Sequence, residues 1–161
     1  MGKIKLNRIR ILLIILVLAV IGGIAIGTEA IITAVRYNSD ISKIGKRYPD
    51  AIITPSGLRY VMMEAGSGPK PIAGRKVLVK YTGSLLNGVI FDTTDNQEYP
   101  LEFDAGIGNA IKGFDEAVMD MREGEKRLVI IPSDLGYGKR RTGIIPGNSF
   151  LLFEMELFRI K

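Results

Sequence analysis

Lys76–Val77–Leu78–Val79–Lys80–Tyr81–Thr82–Gly83–Ser84–Leu85–Leu86–Asn87–Gly88–Val89–Ile90–Phe91–Asp92 is the stretch whose reading decides the fold class. Val77, Val79 and Tyr81 alternate with Lys76, Leu78 and Lys80, the period of a strand with one face toward a core and one toward water. Asn87–Gly88 is a dipeptide that accepts the positive backbone torsions of a tight turn, and Val89–Phe91 supplies the returning strand. A lone hairpin is marginal in water, so this one needs further strands and a covering layer.

Working outward, Gly and Pro punctuate more short segments of the same kind. Leu58–Glu64 reads as a strand closed by Ala65–Gly66–Ser67–Gly68–Pro69. Tyr99–Phe103, Lys126–Ile131 and Phe150–Ile160 follow, the last with Leu152, Glu154, Glu156 and Phe158 interleaved with Leu151, Phe153, Met155 and Leu157. Ile111–Met119 departs from this period. Its apolar residues at 111, 114, 117 and 118 have the spacing of one amphipathic helix of two to three turns. The expectation is an α+β domain: a curved antiparallel sheet of about five strands buries one face against a single short helix.

The 161 residues carry a formal charge of +5, but that charge is not spread over the domain. Residues 1–51 hold eight Lys/Arg against three Asp/Glu, whereas residues 52–161 hold fourteen of each. Nucleic-acid binding by counterion release therefore loses its main support. The chain has no cysteine and no histidine. That removes disulfides, thiol catalysis, triad hydrolysis and His- or Cys-ligated metal sites from consideration.

Ile11–Gly27 contains no charged or strongly polar side chain, and Lys3, Lys5, Arg8 and Arg10 precede it. At about 1.5 Å per residue, a helix running on to Val35 is long enough for a hydrocarbon core of ~30 Å. The charge asymmetry puts the N-terminus in the cytoplasm and the domain beyond the membrane. A cleaved signal peptide is the other reading, with Ala25–Ile26–Gly27 as its small-residue site. Both readings export the domain, and the length of the apolar run favours an uncleaved anchor. The expected organisation is a membrane anchor over 1–35, a polar juxtamembrane spacer over 36–53 and a domain over 54–161. The spacer has room for a short helix over 38–47, ended by Tyr48–Pro49.

Several catalytic motifs fail on inspection. Gly106–Ile107–Gly108 lacks the third glycine of a dinucleotide loop, because Ile111 occupies its place, and no Walker sequence is present. The acidic pairs Asp115/Glu116 and Asp92/Asp95 read better as helix-start and loop carboxylates than as a glycosidase pair. What remains is a set of aromatic and aliphatic residues near glycines, with little to transfer a proton. Such a site suits a reaction that needs neither acid–base nor nucleophilic chemistry.

Tyr81–Thr82–Gly83, Gly88–Val89–Ile90–Phe91–Asp92, Pro100–Leu101–Glu102–Phe103, Ile111–Lys112–Gly113–Phe114, Gly136–Tyr137–Gly138, Gly143–Ile144–Ile145–Pro146 and Leu152–Phe153–Glu154 stand in the order and near the spacing of FKBP-type prolyl isomerases. The entry Thr54–Pro55–Ser56–Gly57–Leu58 with Tyr60 looks like that of bacterial members. This resemblance covers the chain from about residue 54 onward. It implies a half-barrel-like sheet around a short helix and rotation about X–Pro peptide bonds in an apolar aromatic pocket. Clients would be proline-containing polypeptides, with exported proteins in view, and macrolide inhibitors would bind the same pocket. No cofactor or metal is implied. The alternative within the family is a binding or chaperone module with little turnover.

Carried over residue by residue, the resemblance assigns Tyr81, Asp92, Ile111, Tyr137 and Phe153 to catalysis and Phe91, Phe103, Phe114 and Ile145 to substrate binding. Phe114 would be the floor under the proline ring, and the Ile111 N–H and Tyr137 hydroxyl would hold substrate carbonyls. Two departures stand out. The floor is usually tryptophan in the best-known members and is Phe114 here. The loop Lys139–Arg140–Arg141–Thr142 is about one residue shorter than the common pattern, and basic.

Overall fold

The alternation at Lys76–Tyr81 does become a strand, and it runs ten residues, to Leu85. A computed structural model describes residues 27–161. In chain order the described elements are α1 (Thr28–Arg47), β1 (Ile52–Ile53), β2 (Arg59–Glu64), β3 (Lys76–Leu85), β4 (Ile90–Thr93), β5 (Leu101–Asp104), α2 (Lys112–Asp120), β6 (Lys126–Ile131), a 3-10 turn at Ser133–Leu135, and β7 (Leu151–Ile160). Two compact units divide the chain, the second beginning at Asp40.

All seven strands belong to one antiparallel sheet in the order β1-β2-β6-β7-β3-β4. On the free side of β3, β4 pairs with Thr82–Ser84 and β5 with Lys76–Val79, so two short strands share one long edge. The sequence expectation of about five strands is corrected upward. β1 is only two residues long, too short to show any alternation. The Asn87–Gly88 turn stands as read, with Gly88 at φ 87° and its N–H donating to the Leu85 carbonyl at 2.8 Å.

α2 lies against one face of the sheet, with Phe114, Ala117 and Val118 in a core shared with Val77, Val79, Val129, Ile131, Leu151, Phe153, Met155 and Leu157. Gly113 makes this approach possible, because a Cβ there would come within 2.5 Å of Ile131 Cγ2. At about 25 cal/mol per Å² of apolar surface removed from water, this packing is the main source of stability.

The opposite face is also covered, by the second half of α1. Ile44 is fully buried against Ile130, Phe150 and Leu152, with Ile41 and Tyr48 beside it. Ile41, Ile44 and Tyr48 recur at three- and four-residue spacing and so share one helix face. The expected spacer over 36–53 contains the helix its sequence allows, and from Asp40 that helix belongs to the second compact unit. The expected membrane span over Ile11–Val35 lies mostly outside the described residues. Its described part, Thr28–Val35, opens a helix that continues through charged residues to Arg47. Among the described residues no helix is long and apolar enough to cross a membrane.

Candidate functional site

Three structural edges meet around a cavity of about 180 Å³: the β3/β4/β5 end of the sheet, the N-terminus of α2, and the segment after the 3-10 turn. Its walls are Tyr81, Asp92, Leu101, Asn109, Ala110, Ile111, Phe114, Tyr137 and Phe153. Of the nine residues singled out by sequence, the six Tyr81, Asp92, Ile111, Phe114, Tyr137 and Phe153 line this cavity. Phe91, Phe103 and Ile145 do not. They stand behind the wall: Phe91 edge-on to Phe153 at 5.5 Å between ring centroids, Phe103 at 5.8 Å from Phe114, and Ile145 buried in the core.

Strand register explains the first wall. Tyr81 exchanges hydrogen bonds with Thr94, whose backbone N–H donates to the Tyr81 carbonyl and whose Oγ1 accepts from the Tyr81 N–H, both at 2.9 Å. Asp92, two residues back along β4, then lies diagonally across from Tyr81 on the same face. The Tyr81 hydroxyl donates to Asp92 Oδ2 at 2.6 Å. Gly83 pairs with Asp92 on one side and with Phe153 on the other. A Cβ at Gly83 would lie 2.7 Å from the Phe91 ring and 2.9 Å from the Phe153 ring, so glycine lets both rings close in.

Phe114 and Phe153 are each only 4% exposed. Their rings meet edge-to-face at 5.3 Å, and Tyr81 meets Phe114 edge-to-face at 5.3 Å as well. Edge-to-face contacts of this kind fix ring planes as well as burying area. The cavity floor is therefore a rigid aromatic surface.

The second wall is the loop leading into α2. Gly106 and Gly108 take positive φ (75° and 83°), which turns their N–H groups inward. The buried Asp115 carboxylate accepts from both, at 2.6 and 3.0 Å. This clamp holds Asn109, Ala110 and Ile111 in place. Ile111 precedes the first turn of α2, so its N–H belongs to the amides that a helix leaves without an internal partner.

Two phenols complete the mouth. Burial, then the hydrogen bond to Asp92, push the Tyr81 hydroxyl well above the ordinary phenol range. Burial and the Asp92 charge also raise Tyr137. Both therefore keep their protons and remain donors. The acidic pairs weighed in the sequence are accounted for as hydrogen-bond acceptors: Asp115 in the loop clamp, Glu116 from Thr54 and Ser56, Asp95 from Thr82, and Asp92 from Tyr81.

Sequence reasoning missed Leu101, Asn109 and Ala110. Leu101 was within reach, because it alternates with Phe103 on one strand and so shares its face. Asn109 and Ala110 carry no pattern, and their place depends on the Asp115 clamp. Two larger grooves, of about 400 and 440 Å³, are lined by mixed charges with one tyrosine each, Tyr81 and Tyr60, rather than by a cluster of aromatic rings.

Known proteins resemble this chain in sequence and fold. Residues 68–158 match the family model for FKBP-type peptidyl-prolyl cis-trans isomerases. The chain is 49% identical over 92 residues to FK506-binding protein 2 of Dictyostelium discoideum, covering 56% of this chain and 69% of that one. It is 41% identical over 99 residues to an FK506-binding protein of Neisseria meningitidis, covering 61% of this chain and 91% of that one. A crystal structure of a peptidyl-prolyl cis-trans isomerase from Pseudomonas syringae superposes with a TM-score of 0.71 at 30% identity, over 84% of this chain and 96% of that one. With sheet and helix in agreement with these matches, the chain belongs to the FKBP-type peptidyl-prolyl cis-trans isomerases and is an enzyme of that class.

Proposed function

We propose that the cavity walled by Tyr81, Phe114, Tyr137 and Phe153 is where this isomerase turns X–Pro bonds, and that it does so by solvation rather than by proton transfer. Resonance gives the planar amide a barrier of about 18–20 kcal/mol. Twisting the bond breaks conjugation and draws charge back from the carbonyl oxygen. The twisted form is less dipolar, so an apolar aromatic enclosure disfavours the planar form more than the twisted one. Lowering the barrier by ~5 kcal/mol accelerates the step roughly 10³- to 10⁴-fold.

Phe114 is the floor for the proline ring, with Phe153 and Tyr81 as its sides. The Ile111 N–H and the Tyr137 hydroxyl donate to substrate carbonyls, and Asp92 orients Tyr81. Phe91, Phe103 and Ile145 support this wall from behind. The observation that carries the reading is the edge-to-face triad of Tyr81, Phe114 and Phe153 closed by the Tyr81–Asp92 hydrogen bond. The test is NMR exchange on short X–Pro peptides with the full chain, with and without a macrolide. Faster exchange that the macrolide abolishes supports the site; exchange unaffected by macrolide or by Phe114→Ala refutes it. Macrolide binding is carried over from the FK506-binding relatives.

The second half of the reading concerns place. The run Ile11–Gly27 behind four cations supports a single-pass anchor, with the domain outside the cytoplasm and acting on exported proteins. Protease digestion of sealed, oriented membrane vesicles checks this. A domain digested only when its predicted face is accessible supports the topology, and N-terminal sequencing of the mature chain separates an anchor from a cleaved signal.

A further inference from the structure

We propose that the loop Lys139–Arg140–Arg141 makes this isomerase selective for X–Pro bonds flanked by acidic residues. The inference rests on the cavity assignment above and adds a substrate preference to it. The loop begins two residues after Tyr137, which lines the cavity, so its charges issue from the cavity's own wall.

The three cations are exposed, and among the described residues none is in an ion pair. Arg59, Arg75, Lys80, Lys112, Arg122 and Arg159 are in no ion pair either, but they are scattered along the chain, whereas these three are consecutive. Lys70 pairs with Asp120, Lys76 with Glu102 and Asp104, Lys126 with Glu64, Arg127 with Glu125 and Asp120, and Lys161 with Glu102. Residues 52–161 are neutral in sum, so this loop is a local surplus of positive charge rather than part of a basic surface.

The surplus is also held in place. Gly138 N–H donates to the Ser133 carbonyl, and Asn148 N–H to the Gly138 carbonyl, each at 2.8 Å. Thr142 and Ile145 exchange hydrogen bonds at 3.0 and 2.9 Å, and Ile145 is rooted in the core. Arg141 Nε donates to the Gly143 carbonyl at 3.0 Å. The Lys139 carbonyl lies so close to Gly147 that any Cβ there would strike it. A solubilising loop needs no such frame. A recognition loop gains from it, because a backbone already ordered loses less on binding than a mobile one.

Within the cavity the one charged lining residue is Asp92. Asp92 repels an acidic side chain inside the cavity, so the attraction acts on residues flanking proline that lie over the loop. The loop's position beside Tyr137 favours a peptide as the anionic partner over a lipid headgroup.

The experiment compares kcat/KM for matched peptides in which Glu or Gln flanks proline, in one series before it and in another two residues after. The full chain is used in zwitterionic micelles, which add no net charge. The expected result at low salt is a Glu-over-Gln ratio of about three- to tenfold in one series. That ratio falls toward one in ~1 M salt, where the screening length drops to about 3 Å. It also falls in the Lys139→Ser/Arg140→Ser/Arg141→Ser variant and inverts when all three become Glu. The salt arm needs no variant, so misfolding of a variant does not decide the matter. Equal rates for Glu and Gln peptides at low salt overturn the proposal and leave the cavity assignment standing. Equal rates together with shifts of the 139–141 amides on adding anionic lipid overturn it in favour of headgroup contact. No acceleration of either peptide overturns the cavity assignment, and this proposal with it.

Discussion

Tyr81 and Asp92 are tied by a 2.6 Å hydrogen bond across β3 and β4, with the phenol as donor and the carboxylate as acceptor at the mouth of an aromatic cavity. The bond fixes the Tyr81 ring, which in turn abuts Phe114 and Phe153. Tyr81→Phe keeps the ring and loses the bond. The expected result is a roughly three- to tenfold drop in kcat/KM, since a hydrogen bond to a charged group contributes about 1.5–3 kcal/mol when fully expressed. NMR exchange spectroscopy checks it.

The same pair sets the pH behaviour. Tyr81 and Tyr137 are both raised above the ordinary phenol value of 10.0, and the chain has no histidine or cysteine. The activity of the folded enzyme should therefore stay flat from about pH 6 to about pH 9. Stability follows a different course. The folded state holds these protons more tightly than the unfolded state, so the full contribution is present below the unfolded phenol pKa and is lost as pH rises through the folded one. Denaturant titrations should show stability falling above about pH 10, less steeply in Tyr81→Phe.

Phe114 stands where the family resemblance expects tryptophan, and the chain contains no tryptophan. Phe114→Trp should retain activity within a few-fold and cost about 1–3 kcal/mol, because three aromatic rings already surround the site. It also provides a single tryptophan, separately excitable from the six tyrosines, in the floor. Quenching or a blue shift on macrolide addition is the expected readout. Phe114→Ala should lose about 3–5 kcal/mol and most activity.

Gly83 has no room for a methyl group between the Phe91 and Phe153 rings. Gly83→Ala should shift both rings, cost about 1–3 kcal/mol and lower kcat/KM several-fold. Thermal melts alongside exchange rates separate the two effects.

Asp115→Asn retains one acceptor for Gly106 and Gly108 where the native carboxylate offers two. The loop carrying Asn109, Ala110 and Ile111 should loosen. A raised KM with a smaller change in kcat is expected, since the effect falls on a positioned donor.

Period and turn chemistry made the central hairpin, the long C-terminal strand and α2 legible in the sequence. Each is long enough for its alternation to show, as in Leu151, Phe153, Met155 and Leu157. β1 escaped notice because two residues carry no period. The packed half of α1 was read as spacer because charged residues surround its apolar positions, and only the tertiary contact reveals what Ile44 is for. In the site, the aromatic members came from seven motifs in register. Asn109 and Ala110 did not, because a buried carboxylate several residues away puts them there. Phe91, Phe103 and Ile145 came from the same motifs and pack against the cavity's aromatic residues or in the core without lining the cavity.

Ile130, Phe150 and Leu152 are dry only because Ile44 and its helical neighbours lie over them. The family model matches from residue 68, whereas the packed body starts at Asp40. A fragment trimmed to the matched region would bare an oily strip on the rear of the sheet and remove β1 and β2 from its edge. Strips and open edges of that kind promote aggregation. The boundary that water recognises lies upstream of the one at which the family model begins, and recombinant versions of this enzyme should be cut at the former.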